Sequence, residues 1–384
     1  MKGDFIRYQL LEVFLSLKFL TFPKTLTMKL FQCGHCRQLT FFENTHCSHC
    51  QSSLGFDPIS LDLLALKESN GYFVTRNEAK VAFRFCENNK LDACNWLIPQ
   101  ASTEKYCKAC SLNRVIPDLV NPAYRKRWIK IEQAKHRLVY ALLRWKLPFF
   151  PWDESSGKGL GFEFKASQNQ KKVLTGHASG IITMNIAEAD DVERAMARKQ
   201  MDEVYRTVLG HFRHEIGHYY WEVLIAETEW LEKFRSVFGD ESISYSDALD
   251  KHYSNGAPDN WQENFISSYA SAHPWEDWAE SWAHYLHMVD TLETAYAFGL
   301  TINPKLTGIP DIVSTQFSED AYGFVDFSQL LNQWTSLSLA LNSLNRSMGL
   351  PDPYPFVISS PVSKKLAFIH ELIHSLDLDT QQNA

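Results

Sequence analysis

The sequence predicts an α+β fold in two units: a small cysteine-rich module, then a larger and mostly helical domain with a small sheet beside one helix. Three observations carry this expectation. All eight cysteines fall between Cys33 and Cys110, so one part of the chain is built unlike the rest. After Asn121, apolar residues recur mostly at helical spacing. Two glycine-led apolar runs, Gly161-Phe-Glu-Phe and Gly180-Ile-Ile-Thr-Met-Asn, break that pattern as strands. The expected division is 1–27 as an extension, 28–118 as the cysteine module and 119–384 as the large domain.

Bulk composition narrows the class of function. With 384 residues and 45% hydrophobic content the chain can bury a large core. Its net charge of -7 gives no general basic field, so nucleic acid and anionic membrane surfaces are not expected partners. No apolar run reaches the ~20 residues that cross a bilayer. The longest candidate, Leu10 to Phe22, is broken by Glu12, Ser16 and Lys18, and with Asp4 it also makes a poor signal peptide. Translation is expected to start at Met1 or at Met28, which opens the better-organised run Met-Lys-Leu-Phe-Gln-Cys.

In the first module Cys33-x-x-Cys36 and Cys47-x-x-Cys50 have the spacing of a zinc ribbon: each short turn puts two thiolates on one side of a tetrahedral ion. His35, His46 and His49 lie in or beside these turns and are not needed as ligands. Cys86, Cys94, Cys107 and Cys110 form a looser set, read as a second structural zinc site. Paired thiols of this kind indicate metal ligation in a reducing compartment, which makes the cytoplasm the expected location. Between the sets, Gly71-Tyr-Phe-Val-Thr reads as a short strand in a connector.

Asn121-Pro122 opens a helix of about 24 residues, with Trp128, Ile131, Leu138, Leu142 and Trp145 on its apolar face. Arg125, Lys126, Arg127, Lys130, Lys135 and Arg137 are expected on a solvated face, and Pro148 and Pro151 end the helix. Another acidic helix start is read at Ala189-Asp190-Asp191-Val192-Glu193.

The chemistry is concentrated in His214-Glu215-Ile216-Gly217-His218. Two histidines four apart on a helix turn both imidazoles to one side, within reach of one zinc ion. Glu215, beside the first ligand, is placed to take a proton from zinc-bound water. A third ligand is required. The metzincin continuation fails, because the positions three and six residues after His218 hold Trp221 and Leu224. Pro274 to His284 offers Glu276, Glu280 and His284 on one helical face; Glu276 is read as the zinc ligand and Glu280 as the carboxylate that orients a ligand histidine. A second match, His370-Glu371-Leu372-Ile373-His374, has too little chain after it to supply a further ligand. It reads as an amphipathic terminal helix.

These paired motifs look like those of the gluzincin peptidases, and Ser268-Tyr269 through Glu280 is similar to the matching region of anthrax lethal factor. That resemblance implies a catalytic role for Tyr269, a phenol that stabilises the developing oxyanion. From about Met28 onward the chain also resembles a bacterial family of zinc-binding metallopeptidases with an N-terminal zinc ribbon. The Cys33 to Cys50 ribbon, the Cys107 to Cys110 pair, Gly210 to Trp221 and Trp278 to His287 carry this likeness. It implies a four-cysteine zinc-ribbon module followed by a zincin-like domain. The expected activity is zinc-dependent hydrolysis of peptide bonds with one catalytic and two structural Zn2+ ions. A peptide or protein is the expected substrate, and the strand Ile181 to Asn185 is read as the edge to which it adds. The alternative is a non-catalytic adaptor in which the ribbon mediates protein contacts on a zincin scaffold.

Overall fold

A computed structural model describes residues 30–76, 81–167, 173–190, 207–305 and 314–382. The extension at 1–27 and most of the helix expected from Ala189 onward lie outside the described residues. The fold is α+β, with a cysteine-rich region, small sheets and a helical remainder.

The cysteine-rich region opens with a short hairpin, β1 (Phe31–Gln32) and β2 (Leu39–Thr40). A five-stranded antiparallel meander follows, β3 (Ser53–Asp57), β4 (Asp62–Ser69), β5 (Tyr72–Thr75), β6 (Ala82–Phe85) and β7 (Leu97–Pro99). The meander curls until the Phe56 N–H donates to Asn95 O just before β7. Phe42, Phe56 and Trp96 pack in its interior against Tyr140 from the next helix, with ring centroids 4.7 to 6.3 Å apart.

That helix, α1 (Pro122–Arg144), starts as expected: the Asn121 side chain accepts from the N–H groups of Ala123 and Tyr124, and proline follows at the first position. Its basic residues are not a simply solvated face. Lys135 is fully buried, 3.0 Å from Glu132 one turn earlier and over the rings of Phe162 and Phe164. Arg127 pairs with Asp190 at 2.5 Å and Arg137 with Glu43 at 2.6 Å. Lys126 and Lys130 remain exposed, whereas Arg127 and Arg137 meet carboxylates of neighbouring segments.

The second sheet has the order β10 (Gly176–Ala178), β11 (Ile181–Asn185), β9 (Gly161–Lys165), β8 (Asn113–Val115). The expectation that Ile181 to Asn185 forms the edge is corrected here. Strand β11 is internal, parallel to β9 and antiparallel to β10, and β10 is the edge. Ser179 and Gly180, both at positive φ (47° and 81°), make the two-residue turn that folds β10 back over β11.

The remaining elements are α2 (Val208–Leu224), α3 (Trp230–Phe238), α4 (Tyr245–Asn255), α5 (Pro274–Ala297), a two-stranded pair β12 (Thr301–Ile302) and β13 (Thr315–Gln316), α6 (Phe327–Ser347) and α7 (Ser360–Gln382). Helix α5 is buried along most of its length and packs against α2, α6 and α7. It is the axis of the helical part. Helix α4 buries none of its residues and stands on the surface.

Candidate metal centre and active site

Helix α2 begins where Thr207 Oγ1 accepts from Gly210 N–H at 2.9 Å, so one full turn precedes His214. Helix α5 begins at Pro274, with the His273 ring accepting from Trp275 N–H at 3.1 Å, and Glu276 follows within its first turn. The two helices cross at Gly217. A Cβ there would sit 3.0 Å from Ala279 Cα and 3.2 Å from Trp282 Cβ, so any larger residue would have to push the helices a few tenths of an ångström apart. Trp278 Nε1–H donates to Gly217 O at 2.7 Å and locks the crossing.

The crossing brings His214, His218 and Glu276 together. His214 Nε2 lies 3.0 Å from Glu276 Oε2 and 3.3 Å from His218 Nε2, and His218 Nε2 is 3.6 Å from the same carboxylate oxygen. Donors bonded at ~2.0 to 2.1 Å to one tetrahedral zinc are separated by about 3.3 to 3.4 Å. The triangle fits that ion. Glu276 Oε2 is buried and has no hydrogen-bond partner, whereas Oε1 accepts from Tyr245 O–H at 2.6 Å.

His214 Nδ1 lies 2.7 Å from Glu280 Oε1, and Glu280 Oε2 accepts from Ser267 O–H at 2.6 Å. With its Nδ1–H given to Glu280, His214 turns a lone pair toward another imidazole and a carboxylate. Such acceptors converge only around a positive charge. Burial resists charge on His214, but Glu276 and Glu280 pull it well above the ordinary imidazole range. The two carboxylates thus favour positive charge at this point. Burial also resists ionisation of Glu276, yet His218 and His214 hold it well below the carboxylate range.

Glu215 is buried beside this triangle, with Oε1 3.2 Å from His211 Nε2. His211 Nδ1 in turn lies 2.6 Å from Glu188. Burial alone would discharge His211; Glu188 and Glu215 outweigh it and lift the ring to about 9. The Tyr269 ring lies 6.0 Å from that of His214, and burial pushes its phenol well above the ordinary range. The sequence reading missed Tyr245, Ser267 and Glu188, and took His211 only as a single histidine among several metal candidates. Only His211 left a signal there, standing four residues before Glu215 on one helix.

The cysteines form two further clusters, all eight as free thiols. In the first, Cys33 and Cys50 sulfurs are 3.7 Å apart and Cys36 and Cys47 sulfurs 3.5 Å; in the second, Cys94 and Cys107 are 3.7 Å apart. Bonds of ~2.3 Å to a tetrahedral zinc separate sulfurs by about 3.8 Å. Both sets fit. His35, His46 and His49 are exposed and join neither. Sequence reading missed His136, whose Nε2 lies 3.6 Å from Cys110 Sγ and ties α1 to the second cluster.

The duplicate run at the C-terminal end is spent on packing. His370 Nε2–H donates to Val325 O at 3.0 Å and its Nδ1 accepts from Tyr285 O–H at 2.8 Å, while Ile369, Leu372 and Ile373 are buried. Glu371 pairs with Lys233 at the surface, 2.5 Å away. His284 likewise hydrogen-bonds, at 2.9 Å to Tyr354.

Among the described residues no helix is long and apolar enough to cross a membrane. Residues 30–121 match a zinc-ribbon domain model, and residues 124–372 match the family model described as "Putative zinc-binding metallo-peptidase". An uncharacterised protein of Mycobacterium bovis is 42% identical over 353 residues, covering 92% of this chain and 97% of its own. Two uncharacterised proteins of Mycobacterium tuberculosis strains match to the same extent. Among solved structures there is no significant match. The chain belongs to this zinc-binding metallopeptidase family and carries the zinc ribbon on its N-terminal side.

Proposed function

We propose that the protein is a zinc-dependent peptidase of gluzincin type, with His214, His218 and Glu276 holding the catalytic ion. One observation carries the reading: a buried carboxylate oxygen without a hydrogen-bond partner faces two imidazole nitrogens at zinc-ligand spacing. When bound there, zinc supplies a Lewis acid that polarises the scissile carbonyl and acidifies a water molecule. Glu215 takes the proton of that water and returns it to the leaving amine. Glu280 holds His214 in the tautomer that keeps its Nε2 lone pair for the ion. Tyr269, its ring 6.0 Å from that of His214, steadies the oxyanion. An extended peptide adds to the edge strand β10.

The cysteine clusters hold two structural zinc ions, so about three ions per chain are expected, one of them readily removed by chelator. Cleavage of a peptide library by the purified protein tests the activity. Glu215→Gln is expected to keep all three ions and abolish cleavage; a Glu215→Gln protein as active as the parent sinks the reading.

A further inference from the structure

Behind Glu215 runs a hydrogen-bond chain that the proposed hydrolysis leaves unused. His211 stands one turn before Glu215 on α2, with Nε2 3.2 Å from Glu215 Oε1 and Nδ1 2.6 Å from Glu188 Oε2. Thr175 O–H donates to the other oxygen of Glu188, and Thr175 Oγ1 itself accepts from Asn185 N–H at 3.1 Å. Thr175 directly precedes β10 and Asn185 ends β11. The chain thus links the edge hairpin to the candidate base. The side chains of His211, Glu188 and Glu215 are 13%, 14% and 6% exposed, so water competes weakly for these bonds.

A carboxylate base on a flexible side chain works only when one oxygen reaches the proton it abstracts. We propose that His211 is a positioning residue for Glu215: it occupies one carboxylate oxygen and leaves the other for the reacting water, while Glu188 and Thr175 set the angle of the ring. The inference rests on the peptidase reading of the site. It also gives the edge hairpin a direct hold on the base, because the same hairpin carries the far end of the chain.

The test compares full-length, zinc-loaded protein with His211→Leu, His211→Gln, Glu188→Gln and Glu215→Gln. Two readouts are taken: calorimetric affinity for acetohydroxamic acid, which needs both the ion and a carboxylate able to accept its proton, and kcat and KM on a cleaved peptide. His211→Leu is expected to keep zinc content and KM within about twofold while kcat and hydroxamate affinity fall about 10- to 100-fold. His211→Gln, whose amide N–H reaches the place of Nε2–H, is expected to recover most of that loss. Glu188→Gln preserves the packing and carries the same expectation at about 3- to 10-fold, which keeps the test decisive should His211→Leu not fold. Wild-type values in His211→Leu, an equal loss in His211→Gln, or a loss confined to zinc content or KM overturns the proposal. If only Glu215→Gln is impaired, the peptidase reading stands and the role of His211 falls. If Glu215→Gln is also unimpaired, both fall.

Discussion

Tyr245 shows how a single hydroxyl orients a candidate metal ligand. Its O–H donates to Glu276 Oε1 at 2.6 Å, which fixes the carboxylate plane and leaves Oε2 facing the two histidines. Tyr245→Phe removes that donor and leaves a buried oxygen without a partner. Zinc affinity at this site is expected to fall about 10- to 100-fold while the cysteine-bound ions stay, as read by competition with a graded chelator; unchanged affinity would show that the tyrosine only fills space. His370 makes the opposite use of a histidine. Burial keeps it neutral, with its value lowered to about 4 from an ordinary 6.5. Its contribution is therefore intact above about pH 6.5 and is lost as the pH falls toward 4, by up to about 3 kcal/mol. Urea unfolding at several pH values should show this slope, reduced in His370→Gln; an equal slope in both proteins would remove His370 from the account. Both residues needed tertiary contacts to be understood: Tyr245 lies 31 positions from Glu276, and nothing in its own neighbourhood marks it.

At the scale of elements, the crossing of α2 and α5 makes the site. Spacing on each helix was readable in advance, since four-residue repeats place His214 with His218 and Glu276 with Glu280 on one face each. The distance between the helices was not, because it depends on what Gly217 meets. Gly217→Ala pushes a methyl against Ala279 Cα at 3.0 Å and Trp282 Cβ at 3.2 Å, atoms that cannot swing away. A loss of about 1 to 3 kcal/mol is expected, with weaker zinc binding at the proposed His214, His218 and Glu276 site, measured by thermal melts with and without added zinc; a stable variant with normal zinc affinity would mean the helices can separate without cost to the site. The sheet shows the same division. Strands β9 and β11 were recognisable from their apolar runs, but their parallel pairing, with β10 outermost, depends on the tight turn at Ser179 and Gly180.

At the scale of the molecule, one hydrophobic cluster runs from Phe31 and the buried cysteines through α1, the second sheet and α5 to Ile373. The ribbon and the helical part are thus packed as a continuous core. Arg137 to Glu43 and His136 to Cys110 reinforce the junction. Stripping the cysteine-bound ions with a strong chelator is expected to lower the melting temperature of the whole chain in one transition, because the thiolates lose the charge that lets them stay buried. A separate early transition of the ribbon in calorimetry would show that the two parts fold independently.

The sequence by itself determined the α+β class, the cysteine sets, the zinc motif on α2 and its downstream glutamates, because each is a short-range pattern of spacing along one element. Only the tertiary structure decided that Glu276 Oε2 stands bare before two imidazoles, that Lys135 is buried with Glu132, and that His211 joins Glu188 to Glu215. Those facts depend on which helix faces meet and how closely, and that is set by packing between residues far apart in the chain.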